Sequence, residues 1–232
     1  PWGMGGEVRV IDVLAQAEPK IATAFAEQPH LRATVGSTLA EMYAKLGQHD
    51  RAAALARDAS ETLEELVGPA AQEALDARLA LVMNLLNADR ASEATPIIER
   101  LVETASAALG EYAPFTLKAR RSLADARFRG EDRQKATADA EANLADAVRE
   151  LGPAHEVTTG LRMSLAALYT AEMRSKEALE QIELVRTEGH EREPSEHLTL
   201  LGNLCDVQES LGLYVEAEET VREAIDFAKT AL

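Results

Sequence analysis

The stretch Leu39-Ala40-Glu41-Met42-Tyr43-Ala44-Lys45-Leu46-Gly47, followed by an alanine at position 52, decides the fold because its pattern returns along the chain. Three steps of 42 residues and one of 39 carry the alanine through one column, which consists of Ala52, Ala94, Ala136, Ala178 and Ala217. A fixed period of this length is the signature of stacked structural repeats. The sequence therefore predicts a repeat architecture.

A second marker closes the repeats. Gly68, Gly110 and Gly152 are again 42 residues apart, and a proline follows the first and the third of them. Glycine commonly ends a helix, and a proline beside it prevents continuation. Between markers, each repeat has apolar residues at helical spacing, a short polar turn and a second amphipathic stretch. The chain is therefore predicted to be all-α, an α-solenoid of about five helix pairs that must stack to bury their apolar faces.

The same register divides the chain. Residues 1–7 are expected to be a disordered start or a cloning remnant, with the chain a piece of a longer protein, and residues 8–29 are expected to form an N-terminal capping helix that Pro19 kinks or splits. Residues 30–232 form the repeat region, with units at 31–72, 73–114, 115–156, 157–195 and 196–232.

These markers resemble the tetratricopeptide repeat, most clearly at Leu39, Ala40, Tyr43, Gly47 and Ala52. The spacing of 42, together with a Leu-Gly-Pro followed by a histidine at residues 151–155, is similar to the kinesin-light-chain type. The resemblance covers about residues 31–232. It implies a protein-binding solenoid.

Three units depart from the repeat pattern. Leu85, Arg127 and Gln208 stand where the aromatic residue of the first helix is expected. The third unit, which contains Arg127, is the most degenerate, and we expect it to be looser or differently packed.

The opening segment, residues 10–33, is similar to the segment before such repeats in bacterial proteins that carry an N-terminal serine/threonine kinase domain. This resemblance implies a larger signalling protein as the parent.

Composition narrows the function classes. The net charge of −16 disfavours nucleic acid and anionic lipid as partners. One cysteine, Cys205, cannot form an internal disulfide, and it is expected to be a small buried residue at a helix contact. With no apolar run long enough to cross a bilayer, we expect a cytoplasmic protein.

The sequence contains no recognisable catalytic or metal-binding motif. The five histidines give no helical zinc pair, and we interpret His190 and His197 as parts of a solvated acidic loop. No phosphate-binding loop or nucleophile elbow occurs. We therefore predict no enzymatic activity, no cofactor and no metal.

In tetratricopeptide proteins the first helices line a concave groove, and the resemblance implies partner-binding positions here: Met83, Asn87, Lys118, Arg121, Asp125 and Arg129. The same projection along the later units gives Met163, Ala167, Thr170, Thr199, Asp206 and Glu209.

The third unit holds the densest basic cluster, which runs from Lys118 to Arg133. Arginine binds carboxylates in a bidentate manner, so an acidic peptide or a C-terminal carboxylate is one predicted ligand. The alternative is internal pairing of the cluster with acidic residues nearby, namely Asp125, Glu131, Asp132 and Asp139.

The leading hypothesis is a protein–protein interaction module. A second hypothesis is self-association through the last helix, whose stripe comprises Val221, Ala224, Ile225 and Ala228. A third hypothesis, a small-molecule sensor, requires convergent polar groups that the sequence does not identify.

Overall fold

A computed structural model describes residues 9–130, 132–188 and 193–231. Within these ranges the chain forms eleven α-helices and no strand. Contacts divide it into two compact units, one ending at Glu111 and the other beginning at Tyr112. The expected unstructured start, His190 and Glu131 lie outside the described residues.

The first unit contains one single helix and two helical hairpins, with the bounds α1 Val10–Ala24, α2 Pro29–Lys45, α3 His49–Val67, α4 Gln72–Asn87 and α5 Ala91–Leu109. Helix α1 packs on α2, where its Ile11, Leu14 and Ile21 contact a core formed around the fully buried Tyr43. This packing covers apolar side chains of the first hairpin, and the role of α1 as a cap stays a prediction.

The second unit contains three hairpins, with the bounds α6 Pro114–Arg129, α7 Arg133–Leu151, α8 Glu156–Ala171, α9 Ser175–Glu188, α10 Pro194–Ser210 and α11 Tyr214–Ala231. Its core is continuous from Leu117 in α6 to Val207 in α10, with Leu165 and Ile182 at its centre. Neighbouring hairpins therefore share one core, since no hairpin can bury its own apolar stripe alone.

The two sequence markers have clear structural roles. Every alanine of the column is buried, none more than 3% exposed, because the two helices of a hairpin approach closely at that point. Gly68, Gly110 and Gly152 each end the second helix of a hairpin with a positive φ, at 88°, 103° and 91°. L-residues with a Cβ rarely adopt that conformation, which explains the choice of glycine.

In four of the five hairpins, the turn between the two helices contains a residue with positive φ. Gly47 and Gly212 supply it in the first and last hairpins, whereas Asp89 and Met173 adopt φ values of 57° and 62° at the corresponding places. Asp tolerates this region better than Met does. The turn at Met173 therefore carries local backbone strain.

Helix α1 continues through Pro19, so the predicted split does not occur. One turn after Pro19, the hydroxyl of Thr23 donates to the carbonyl oxygen of Pro19 at 3.0 Å.

Two of the three repeats that lack the aromatic residue replace it with a polar pair across the hairpin, whereas the second repeat has the buried Leu85 there. Arg127 of α6 contacts Asp139 of α7 at 2.5 Å, and Thr220 of α11 donates to Gln208 of α10 at 2.8 Å. Each pair joins residues twelve apart in sequence. In these hairpins a side-chain pair takes over the position that the tyrosines hold elsewhere.

Within the described residues, no helix is both long enough and apolar enough to cross a membrane.

Candidate functional site

The first helices of the three hairpins in the second unit border a cavity of about 440 Å³. Its α6 wall presents Lys118 and Arg121, and its α10 wall presents Glu196, Thr199 and Asn203. Buried apolar residues form its floor, namely Val157, Val185 and Leu200. The cavity thus combines an apolar base with polar and charged rims, as binding sites commonly do.

A second cavity of about 290 Å³ adjoins the first along α8 and α10. Met163 and Asn203 line both, and Ala167, Thr170 and Asp206 line only the second. We call the two cavities together the α6–α8–α10 groove. Its continuity gives it an elongated form.

Gly160 of α8 lies directly against the α6 wall. A Cβ atom built on this glycine would be 2.9 Å from Nη1 of Arg121, closer than real Cβ contacts. The guanidinium group therefore lies over the backbone of α8, in a space that any larger residue at position 160 would occupy.

The two walls of the groove differ in charge. Lys118 and Arg121 make the α6 wall basic, although Lys118 also donates to Glu156 of α8 at 3.1 Å. Glu196 and Asp206 make the α10 wall acidic. A ligand in the groove would meet opposite charges on opposite sides.

Asp125 joins α6 to α8 and does not line either cavity. Its carboxylate accepts a hydrogen bond of 3.0 Å from the hydroxyl of Ser164. Burial raises the pKa of Asp125 above its usual range, while the Ser164 bond and the charges of Arg121 and Arg129 act in the opposite direction. This carboxylate holds two helices together, and Arg129 beside it is exposed to solvent.

Internal ion pairs engage much of the remaining basic cluster. Arg127 pairs with Asp139, one of the partners considered above, and Arg120 pairs with Asp146 at 3.5 Å. Asp132 is instead the N-cap of α7, where it accepts from the backbone amide of Lys135. The guanidinium of Arg133 lies over the ring of Phe128.

The other two predicted positions, Met83 and Asn87, belong to the first unit. Both are exposed on α4, and Met83 has a relative accessibility of 37%. Leu86 beside them is a core residue, 3% exposed.

Cys205 of α10 is half-buried, and burial raises the pKa of its thiol.

Sequence reasoning missed several groove residues, chiefly Gly160, Glu156, Glu196 and Asn203. A glycine in the middle of a predicted helix was an available signal, since it weakens the helix unless close packing requires it. Asn203 lies one residue beside the projected stripe and gave no such signal.

Among the described residues, no group of three or more histidine, cysteine, aspartate or glutamate side chains is arranged to hold a metal ion. The prediction that the chain needs neither metal nor cofactor remains a prediction.

Comparison with solved structures identifies the fold. BtubC (BKLC) from P. vanneervenii is similar with a TM-score of 0.66 and 19% sequence identity, over 95% of this chain and 90% of that chain. A Podosopora anserina putative kinesin light chain with nearly identical TPR-like repeats gives 0.63 and 23%, over 88% and 98%. The apo form of RapI gives 0.59 and 12%, over 94% and 90%.

No protein-family model and no curated protein matches the sequence. The structural likenesses, all below 25% identity, establish the fold and leave function to the site. The predicted all-α solenoid of the tetratricopeptide type is thus confirmed as the fold of this chain.

Proposed function

We propose that this chain is a protein–protein interaction module and that the α6–α8–α10 groove binds an extended peptide segment of a partner protein. The observation that carries the proposal is the junction of the two cavities at Met163 and Asn203. A ligand that fills both must run along the helices. An elongated peptide suits that form better than a compact small molecule does.

Selection of random dodecapeptides on the intact chain tests the proposal. Selected peptides should lose most of their affinity for Asn203→Arg, because the new side chain fills the junction from an exposed position. Gln48→Arg is the matched control, since it adds the same charge at an exposed turn of the first unit. Equal binding to both variants would contradict the assignment of the groove.

The wider context remains a proposal drawn from the sequence. We infer a larger signalling protein, with a kinase domain before the repeats, from the opening segment alone. A cytoplasmic location and the absence of catalytic activity in these residues also remain proposals, which rest on the sequence as a whole.

Self-association is a second candidate, which one specific observation favours. Helix α11 buries Ala217 and Thr220 against α10, while Val221 and Ile225 remain 42% and 50% exposed. Val221 and Ile225 lie one turn apart on the same face of α11, and contiguous exposed apolar side chains mark interaction surfaces.

Size exclusion with light scattering tests this candidate. Ile225→Asp should convert a dimer to a monomer, whereas Ala54→Asp, at an exposed position of α3, should leave the dimer intact. A monomeric wild-type chain would exclude this use of α11.

A further inference from the structure

We infer that the α6–α8–α10 groove recognises one acidic side chain within an extended peptide, and that Gly160 sets this specificity by giving Arg121 its place over α8. The inference rests on the proposed peptide-binding function. It names the chemistry of the ligand and the residue that selects it.

Arg121 and Lys118 are the two cations that line the larger cavity, and the charge of Arg121 also acts on Asp125 of its own helix. Lys118 on the same wall already donates to Glu156, and the carboxylate of Asp125 near Arg121 accepts from Ser164. The guanidinium of Arg121 lines the larger cavity and lies against the bare backbone at Gly160. A guanidinium held in this way can donate two parallel hydrogen bonds to one carboxylate.

Gly160 determines where that guanidinium lies. A methyl group at this position would approach Nη1 to 2.9 Å, so the end of the arginine side chain would have to move. Such a movement is easy for a flexible side chain and leaves the helices in place. Gly160 therefore acts on recognition through Arg121, as a positioning residue.

The opposite wall limits how acidic the ligand can be. Glu196 and Asp206 on α10 face the groove, and the chain as a whole carries a net charge of −16. A run of acidic residues would bring several negative charges close to those carboxylates. One aspartate or glutamate directed at α6 gains the Arg121 contact and avoids that repulsion.

The form of the groove favours an internal side chain over a C-terminal carboxylate. Beyond Met163 the groove continues into the second cavity, lined by Ala167 and Thr170. A peptide bound at Arg121 has room to extend along α8. The carboxylate is therefore expected within the bound segment.

Two glycine variants separate recognition from stability. Gly160→Ala should displace Arg121, whereas a Cβ at Gly202 of α10 meets nothing within 4 Å. Both replace a helical glycine with the best helix former, so neither should lower the melting temperature. Gly202→Ala is thus the matched control.

The probe is an array of random dodecapeptides, each made with no acidic residue, with one central glutamate or with four consecutive glutamates, and each in a C-terminally amidated and a free-carboxyl version. The intact chain and Gly202→Ala should bind the one-glutamate form about tenfold more tightly than the others, and Gly160→Ala should lose that preference. Arg121→Gln should lose it too.

Three results would overturn the inference while leaving peptide binding standing: no preference for glutamate, strongest binding of the four-glutamate form, or equal behaviour of the two glycine variants. If only free-carboxyl versions bind, the internal position is wrong. If no peptide binds at all, the proposed function itself fails.

Discussion

The tyrosines of the first and fourth hairpins, one in each unit, occupy the same repeat position but obtain their partners differently. Tyr169 of α8 donates to Glu141 of the preceding repeat helix α7 at 2.8 Å, with Arg174 stacked 4.1 Å from its ring centre. Tyr43 of α2 donates to Glu18 of α1 at 3.2 Å, with Arg51 at 5.0 Å. In each cluster the glutamate and the arginine also contact each other directly, Glu18 with Arg51 and Glu141 with Arg174.

Helix α1 has no repeat signature, yet it supplies the glutamate that a repeat helix supplies in the second unit. A solenoid end requires a helix that covers the apolar face of its first hairpin. The comparison shows that α1 reproduces the polar contact and also packs apolar residues on α2. Four predictions test how far the two clusters are equivalent.

The largest effect is expected from removing either tyrosine. Tyr43→Ala and Tyr169→Ala should each lower the free energy of unfolding by about 3–5 kcal/mol, because a buried aromatic ring leaves a cavity. Urea unfolding followed by circular dichroism measures this. Tyr214→Ala, at a side chain 71% exposed, is the control and should change little. A much smaller loss for Tyr43→Ala would mean that α1 is a weak substitute for a repeat helix.

A hairpin without the tyrosine should respond differently. Gln208→Ala removes the acceptor of the buried Thr220 hydroxyl and should destabilise the chain by about 1–3 kcal/mol. Replacing both partners, with Gln208→Leu and Thr220→Val together, should recover most of that loss. If the double variant is as unstable as the single one, the hydrogen bond is not what holds α10 to α11.

Tyr169→Phe should lower stability by about 1 kcal/mol at neutral pH, through loss of its hydrogen bond. Burial and then Glu141 raise the pKa of Tyr169 to about 12, from 10.0. The folded state therefore holds this proton more tightly than the unfolded state, and the contribution is lost as pH rises from 10 towards 12.

Urea midpoints at pH 8, 10 and 11 check the sign. Wild type should lose stability faster than Tyr169→Phe above pH 10, so the difference between them should shrink. A difference that grows with pH would contradict the assignment.

The smallest effect is expected from Glu18→Gln, at about 0.5 kcal/mol, because Glu18 is partly exposed and its contacts are screened by solvent. Glu141→Gln should behave alike if the two clusters are equivalent. Thermal unfolding in low salt gives the most sensitive comparison of the two.

Local requirements of the backbone were predictable from the sequence. The alanine column predicted the repeat architecture, and the glycine column predicted helix ends, because each repeat imposes the same burial and the same φ at those residues. The register likewise placed Met163, Ala167 and Thr199 at the groove.

Contacts between side chains of different helices were harder to predict. The pairing of Arg120 with Asp146 and the place of Arg121 over Gly160 depend on rotamers and on helix tilt, which the period does not determine. Helix tilt also determines how many residues of a helix face the groove. Asn203 therefore lines the cavity although it lies one residue outside the projected stripe. The bond between Asp125 and Ser164 was missed for the same reason.

The most direct test of the central claim is photo-crosslinking of a selected dodecapeptide that carries a benzophenone at its centre, followed by mass spectrometry of the digested chain. We expect cross-links on the first helices of the second unit, centred on Met163 and Asn203. Cross-links confined to the second helices α7, α9 and α11 would contradict the assignment of the α6–α8–α10 groove as the binding surface.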